Sequence, residues 1–267
     1  MSVSAGGPGS LDDDPPGRPG HGGRGQPDPP DDAGERLARA AAQVASLRRA
    51  IAADAGLREA TGAVKRWQAA RLARTHADLL ADAGTAPAAR FFLDDLYGAK
   101  DFSRRDTELI RLLPTLSRLL PERALHTVAD AVELDALTER LDESLARALG
   151  ETAGQGLDEA AYARAYRQPG AAEARAHQLD LVLRIGRSLE GLVSHPAIGR
   201  LLSAMALPAR LDGVGQMHDF LSRGFAAFAG LPSTNAFLAR IDRRERAIMA
   251  ALLGGQDRHW ISQPDSG

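Results

Sequence analysis

From Gly34 onward, leucine and alanine recur at three- and four-residue spacing, and no stretch alternates apolar and polar residues with period two. Such spacing builds one face of a helix and cannot build one face of a sheet. Valine and isoleucine, the residues that favour strands, are sparse, whereas Leu and Ala are strong helix formers. The expected fold is all-α: a single multi-helix bundle whose short loops favour antiparallel neighbours.

Proline, glycine and capping residues divide the chain. They predict helices near 35–53, 57–82 and 87–97, the last with Pro87 in its first turn and Gly98 as its left-handed stop. Ser103 and Asp106 form a capping box for a helix over about 104–119, which Pro114 should bend or break. The longest helix spans about 121–149 and closes at Gly150, and Asp158 caps a short one to about 167. A further helix covers 171–193, and Pro196, Pro208 and Pro232 mark the starts that give 196–205, 214–229 and 233–253. In 171–193 the residues Leu179, Val182, Leu183, Gly186, Leu189 and Val193 share one face. In 233–253 Phe237, Leu238, Ile241, Ile248, Met249 and Leu252 share another, and Phe220, Leu221, Phe225 and Phe228 are expected in the core.

Residues 1–33 read differently. They hold eight Gly, seven Pro and six Asp, and too few apolar residues to offset the entropy of ordering, so a disordered tail is expected. The helical domain then covers 34–255, with a frayed C-terminus over 256–267. The tail carries a charge of −4 out of −2 for the whole chain, which leaves the body near neutral. That balance argues against a nucleic-acid partner.

With no cysteine, disulfide, thiolate-nucleophile and cysteine-metal chemistry are excluded. No apolar run is long enough to span a membrane and no signal peptide is evident, so no membrane partner and a cytoplasmic location are expected. Of the 33 basic residues only Lys65 and Lys100 are lysines, a bias that points to a GC-rich bacterial genome.

The run Phe91-Phe92-Leu93-Asp94-Asp95-Leu96-Tyr97-Gly98-Ala99-Lys100-Asp101-Phe102-Ser103-Arg104-Arg105-Asp106 resembles the signature FFLxDLYGxxDFxxRD of an uncharacterised, mainly proteobacterial family of hypothetical proteins. The segments Glu133–Leu137, Ala165–Arg167 and Gly224–Phe228 resemble it too, so that the likeness runs over roughly 65–253. The resemblance implies an all-helical fold and carries no activity, cofactor or partner with it. Physically the run reads as a corner between two helices, with Arg104 and Arg105 free to pair with Asp94 or Asp95.

Charge on the long helix offers the best chemistry. On a helical wheel, Leu125, Ala129, Val132 and Ala136 form one apolar side, and Leu134, Leu137, Leu141 and Leu145 the other. His126, Asp130 and Glu133 fall between the two sides, with Glu122 on the same line, so Glu133 is expected to be mostly buried. Such charges need partners. Helix 171–193 presents Glu173, His177 and Asp180 at comparable spacing. Two readings follow. Either these groups meet arginines such as Arg104, Arg105 or Arg184, or His126, Asp130 and Glu133 contribute to a metal site, although Glu-x-x-x-His departs from the Glu-x-x-His of di-iron bundles. Glu245 should point inward toward an arginine, and His76 and His218 read as structural.

No nucleophile elbow, phosphate loop or dinucleotide fingerprint is present. The sequence therefore favours a non-enzymatic scaffold or protein-interaction module, with a protein partner or a homo-oligomer expected. The alternative is an enzyme that holds a metal or a small apolar ligand inside the bundle. It names no cofactor and does not decide whether the chain is an enzyme.

Overall fold

The computed structural model describes residues 32–96, 108, 111, 121–154, 156–168, 171–211 and 215–260. Among them are ten α-helices and no strand. The helices are α1 (Ala33–Ala53), α2 (Ala55–Thr75), α3 (Ala77–Ala81), α4 (Ala86–Phe91), α5 (Glu122–Leu149), α6 (Glu159–Tyr166), α7 (Ala171–Val193), α8 (Pro196–Leu211), α9 (Gly215–Ala229) and α10 (Thr234–Leu253). The expected all-α class is observed. The tail over 1–31, the Gly98 stop, the Ser103–Asp106 box, the helix near 104–119 and Arg104 and Arg105 lie outside the described residues.

Short polar side chains start the helices. Asp32 accepts from the Gly34 amide at 3.0 Å, Asp54 from Leu57 at 3.0 Å, Asp158 from Ala161 at 2.7 Å and Ser233 from Ala236 at 3.2 Å. Asp32 thus caps α1 and Ala33 is buried, so the body begins at the last two residues assigned to the tail. Gly150 closes α5 at φ +53°, where a β-carbon would be strained.

Three boundaries differ from expectation. The helix expected over 57–82 is interrupted at His76, whose φ of −114° and ψ of 28° leave the helical basin and separate α2 from α3. The helix expected over 87–97 becomes a π-turn at Phe92–Leu96 after α4, a local insertion that often accompanies functional sites. Pro208 starts no helix, because α8 continues through it to Leu211. A proline inside a helix forfeits one amide bond and crowds the preceding turn, and the helix here tolerates that cost.

Helix α5 is central: 15 of its 28 residues are buried. Its Leu125, Ala129, Val132 and Ala136 pack on Leu37, Ala40, Ala41 and Val44 of α1. Its Leu134, Leu137 and Leu141 join Leu179, Val182 and Leu183 of α7 with Phe228, Phe237 and Leu238. Its C-terminal end, Leu145, Ala146 and Leu149, meets Leu57, Ala60 and Val64 of α2. The two apolar sides read from the wheel therefore have separate partners. Polar contacts fix the directions. Arg36 and Arg48 of α1 reach Asp130 and Asp135 in the same order along α5, so those two helices run parallel. Gln178 and Arg184 of α7 reach Thr138 and Asp130 in reverse order, so α7 is antiparallel to α5.

The expected fraying from 256 does not hold for the residues up to 260. Trp260 is buried against Trp67 and Tyr162, Asp257 pairs with Arg167, and the His259 amide donates to Glu159 at 3.0 Å. A large aromatic surface and an ion pair outweigh the entropy of this short segment. Of the apolar residues of α9 expected in the core, Phe228 is buried, while Phe220, Leu221 and Phe225 are half-buried.

Candidate functional site

The polar line His126–Asp130–Glu133 lies in the seam between α1 and α7. Asp130 is buried, and it accepts from Arg36 at 2.8 Å and from Arg184 Nε at 2.9 Å. Glu133 accepts from Arg36 at 2.7 Å, and His177 Nε2 lies 2.8 Å from its other oxygen. Glu133 is nonetheless 35% exposed, which corrects the expectation of burial. Of the three residues on this line, Asp130 is buried, whereas His126 and Glu133 reach solvent. Burial pushes the Glu133 carboxyl up, but the Arg36 and His177 contacts outweigh it and hold the group below its ordinary range. His126 is 43% exposed and, among the described residues, lies 3.7 Å from Glu122, with no contact to Asp130 or Glu133. Asp180 pairs with Arg246 at 2.7 Å. Among the described residues no group of three or more His, Asp or Glu side chains is arranged to hold a metal ion.

The opposite gap on the α5 wheel holds Asp135, Glu139 and Asp142, and this gap faces the interior. Glu139 is buried and receives Lys65 at 2.6 Å and Arg48 at 2.9 Å. One turn further on, Asp142 is 2% exposed and borders a cavity of about 120 Å³. Chain segments distant in sequence close this cavity. Gln68, Arg71 and Leu72 come from α2, followed by His76 at the helix break and Leu79 from α3. Ala89 of α4 and Phe92 and Leu93 of the π-turn add an apolar wall. Tyr162 and Tyr166 come from α6, Arg175, Gln178, Leu179 and Val182 from α7, and Phe237, Ile241, Glu245 and Met249 from α10.

Its polar half divides into two clusters. In the first, Arg71 Nη1 donates to both Glu245 oxygens at 2.6 Å, and His76 Nε2 lies 2.9 Å from Glu245 Oε1. Glu245 therefore points inward to an arginine, as its place on the wheel implies. Burial pushes its carboxyl up, yet the Arg71 charge with the His76 and Arg71 hydrogen bonds prevails and holds it down at about 2. The break after Thr75 is what carries the His76 ring to Glu245, so this histidine, read from sequence as structural, borders the cavity.

In the second cluster, burial is the main force on Asp142 and lifts its carboxyl to about 7. Lys65, Arg175 and a Gln68 hydrogen bond work against that rise, and Glu139 adds to it. Tyr162 and Tyr166 are raised, also by burial. Arg175 is 7% exposed, and its guanidinium carbon sits 3.8 Å from the centre of the Tyr166 ring. Among the described residues it makes no hydrogen bond and no ion pair, and its Nε is buried without a partner. Arg71 Nε and His76 Nδ1 are likewise buried and unpaired. Behind the cluster, Trp67 stacks on Tyr162 at 4.0 Å and makes that wall rigid.

Sequence reasoning missed Asp142, Arg175, Arg71 and the tyrosines. A signal existed for the first, because a helix with two apolar sides has two polar gaps, and Asp142 lies in the second. For the others no local pattern distinguishes a cavity-facing arginine from a solvated one.

The fold and site define an all-α domain with a polar, ionisable cavity at the meeting of α2, α5, α6, α7 and α10. A family model described as a domain of unknown function (DUF8198) matches residues 47–259, and the chain belongs to that family. No curated protein and no solved structure matches it.

Proposed function

We propose that the domain binds a small organic molecule in the cavity and that Asp142 serves there as an acid–base group. The observation that carries this reading is the concentration of buried and largely buried ionisable groups around one cavity. Arg71, His76, Asp142, Tyr162, Tyr166, Arg175 and Glu245 all border it. Isolated buried charges are expensive, and titratable groups displaced from their ordinary range gather at functional sites. A carboxyl poised near neutrality gives and takes protons readily at physiological pH. The apolar wall of Leu79, Phe92, Leu179, Val182, Phe237 and Ile241 supplies the surface that binds the rest of a ligand.

This reading is the enzyme-like alternative of the sequence analysis, moved from the α1–α7 seam to the opposite side of α5. The scaffold reading rested on the lack of a complete reactive set along the chain; the ionisable groups that the cavity draws from distant segments support the enzyme-like reading instead. A metal at His126, Asp130 and Glu133 is not preferred, because Arg36 and Arg184 already neutralise the two carboxylates. No described helix is long and apolar enough to cross a membrane. We place the protein in a bacterial cytoplasm on its composition, and take Phe91–Asp106 as the signature of its family.

Ligand-observed NMR with a library of small polar-aromatic compounds tests the reading. Compounds that bind wild type should lose binding in Leu179→Phe, which fills the space with a larger apolar group. Binding that survives in a folded Leu179→Phe variant would refute the cavity as the site.

A further inference from the structure

The wall of the cavity has an unbalanced charge. Arg71 is neutralised by Glu245 through a bidentate contact. Outside the cavity wall, two further charges that act on Asp142, those of Lys65 and Glu139, close on each other. Arg175 remains. It is a permanently charged group, more than nine-tenths buried, stacked on Tyr166 and without a hydrogen bond or ion pair among the described residues. Asp142 is near enough to feel its charge, yet no contact of 4.0 Å or less joins them, and Asp142 keeps its proton up to about neutral pH. A buried guanidinium without a counter-ion is a costly arrangement. The cation–π contact with Tyr166 recovers part of that cost, but it leaves the in-plane donors of the fork uncommitted.

We propose that the cavity takes a small monocarboxylate whose anionic group docks on Arg175 and whose apolar part lies against Phe92, Leu179 and Phe237. The proposal rests on the small-molecule reading above and adds the class of ligand. Three features select that class. A planar carboxylate accepts two parallel bonds from a guanidinium fork. A single surplus positive charge matches a monoanion, whereas a phosphate dianion brings a second charge with no partner and sets it against Asp142. The size limits the ligand as well: an apolar cavity of about 150 Å³ holds benzene, and this one is about 120 Å³ and partly open to solvent, so it takes at most one small ring or a short aliphatic chain, with part of the ligand at the mouth.

The test uses three probes on the full chain, benzoate, its neutral isostere benzamide and inorganic phosphate, with affinities read by ligand-observed NMR titration. Wild type should bind benzoate at least tenfold more tightly than benzamide, and should bind phosphate more weakly than benzoate. In Arg175→Gln the benzoate preference should collapse to near parity while benzamide still binds, and Arg175→Lys should recover part of it. Benzamide bound as tightly as benzoate by wild type would overturn the anion class and leave the small-molecule reading standing. Phosphate bound more tightly than benzoate would overturn the carboxylate assignment. If all three probes fail, and library compounds bind and are displaced by Leu179→Phe, the ligand class is wrong; if those fail too, the cavity reading itself is overturned. The wild-type ratio needs no variant, so a poorly folding Arg175→Gln leaves the test decisive.

Discussion

Replacing Asp142 by Asn should stabilise the protein, and the gain should depend on pH. In the folded state burial raises the Asp142 carboxyl from its ordinary 3.8 to about 7. Between these values the native protein holds a proton that the unfolded chain has released, so wild-type stability falls as pH rises through this window. Each tenfold change in proton affinity corresponds to about 1.4 kcal/mol, which makes the full penalty about 4 kcal/mol once Asp142 is ionised in both states. Asparagine keeps the shape of the protonated side chain and carries no charge. The two proteins should therefore be nearly equally stable at pH 4, with the variant ahead by roughly 2–4 kcal/mol at pH 8, the lower figure allowing for relaxation around the ionised group. Urea unfolding of both proteins at half-unit steps from pH 4 to 8.5 measures this difference, in which titrations common to both cancel. Equal slopes in denaturant would show that the unfolded states are comparable. A stability difference that stays flat across the range, or a variant less stable than wild type at pH 8, would refute the claim that Asp142 is held neutral by burial.

The two carboxylates of the α1–α7 seam should respond unequally. Glu133→Gln should cost under about 1 kcal/mol because solvent screens its contacts, while Asp130→Asn, which removes the buried counter-charge of two arginines and turns one acceptor into a donor, should cost about 1–3 kcal/mol by urea unfolding. Glu245 is held below its unfolded value, so its contribution is present above pH 4.5 and is lost as pH falls toward 2. That loss should amount to about 3 kcal/mol in wild type and vanish in Glu245→Gln, so parallel acid titrations of the two proteins by circular dichroism would sink the assignment. Gly186 lies where an added β-carbon would approach Leu238 to 2.6 Å. Gly186→Val should therefore lower stability by about 2 kcal/mol through overpacking, and an unchanged melting temperature would show that α7 and α10 are not in close contact there.

Local chemistry settled much of this protein in advance. Helix class, the caps at Asp158 and Gly150, the faces of α7 and α10 and the two apolar sides of α5 follow from spacing alone. Residues three and four apart must share a helix face whatever surrounds them. The inward turn of Glu245 was legible for the same reason. What spacing cannot supply is which element covers which face. The wheel of α5 has two polar gaps, and nothing along the chain says that α1 and α7 leave one partly open to solvent while α2, α6 and α10 border the cavity at the other. The parallel pairing of α1 with α5, the break that swings His76 to Glu245 and the isolation of Arg175 beside Tyr166 depend on contacts between segments far apart in sequence. Burial and ionisation are set by that surrounding protein, and so Asp142, an ordinary carboxylate in the sequence, becomes a proton-holding group only in the folded chain.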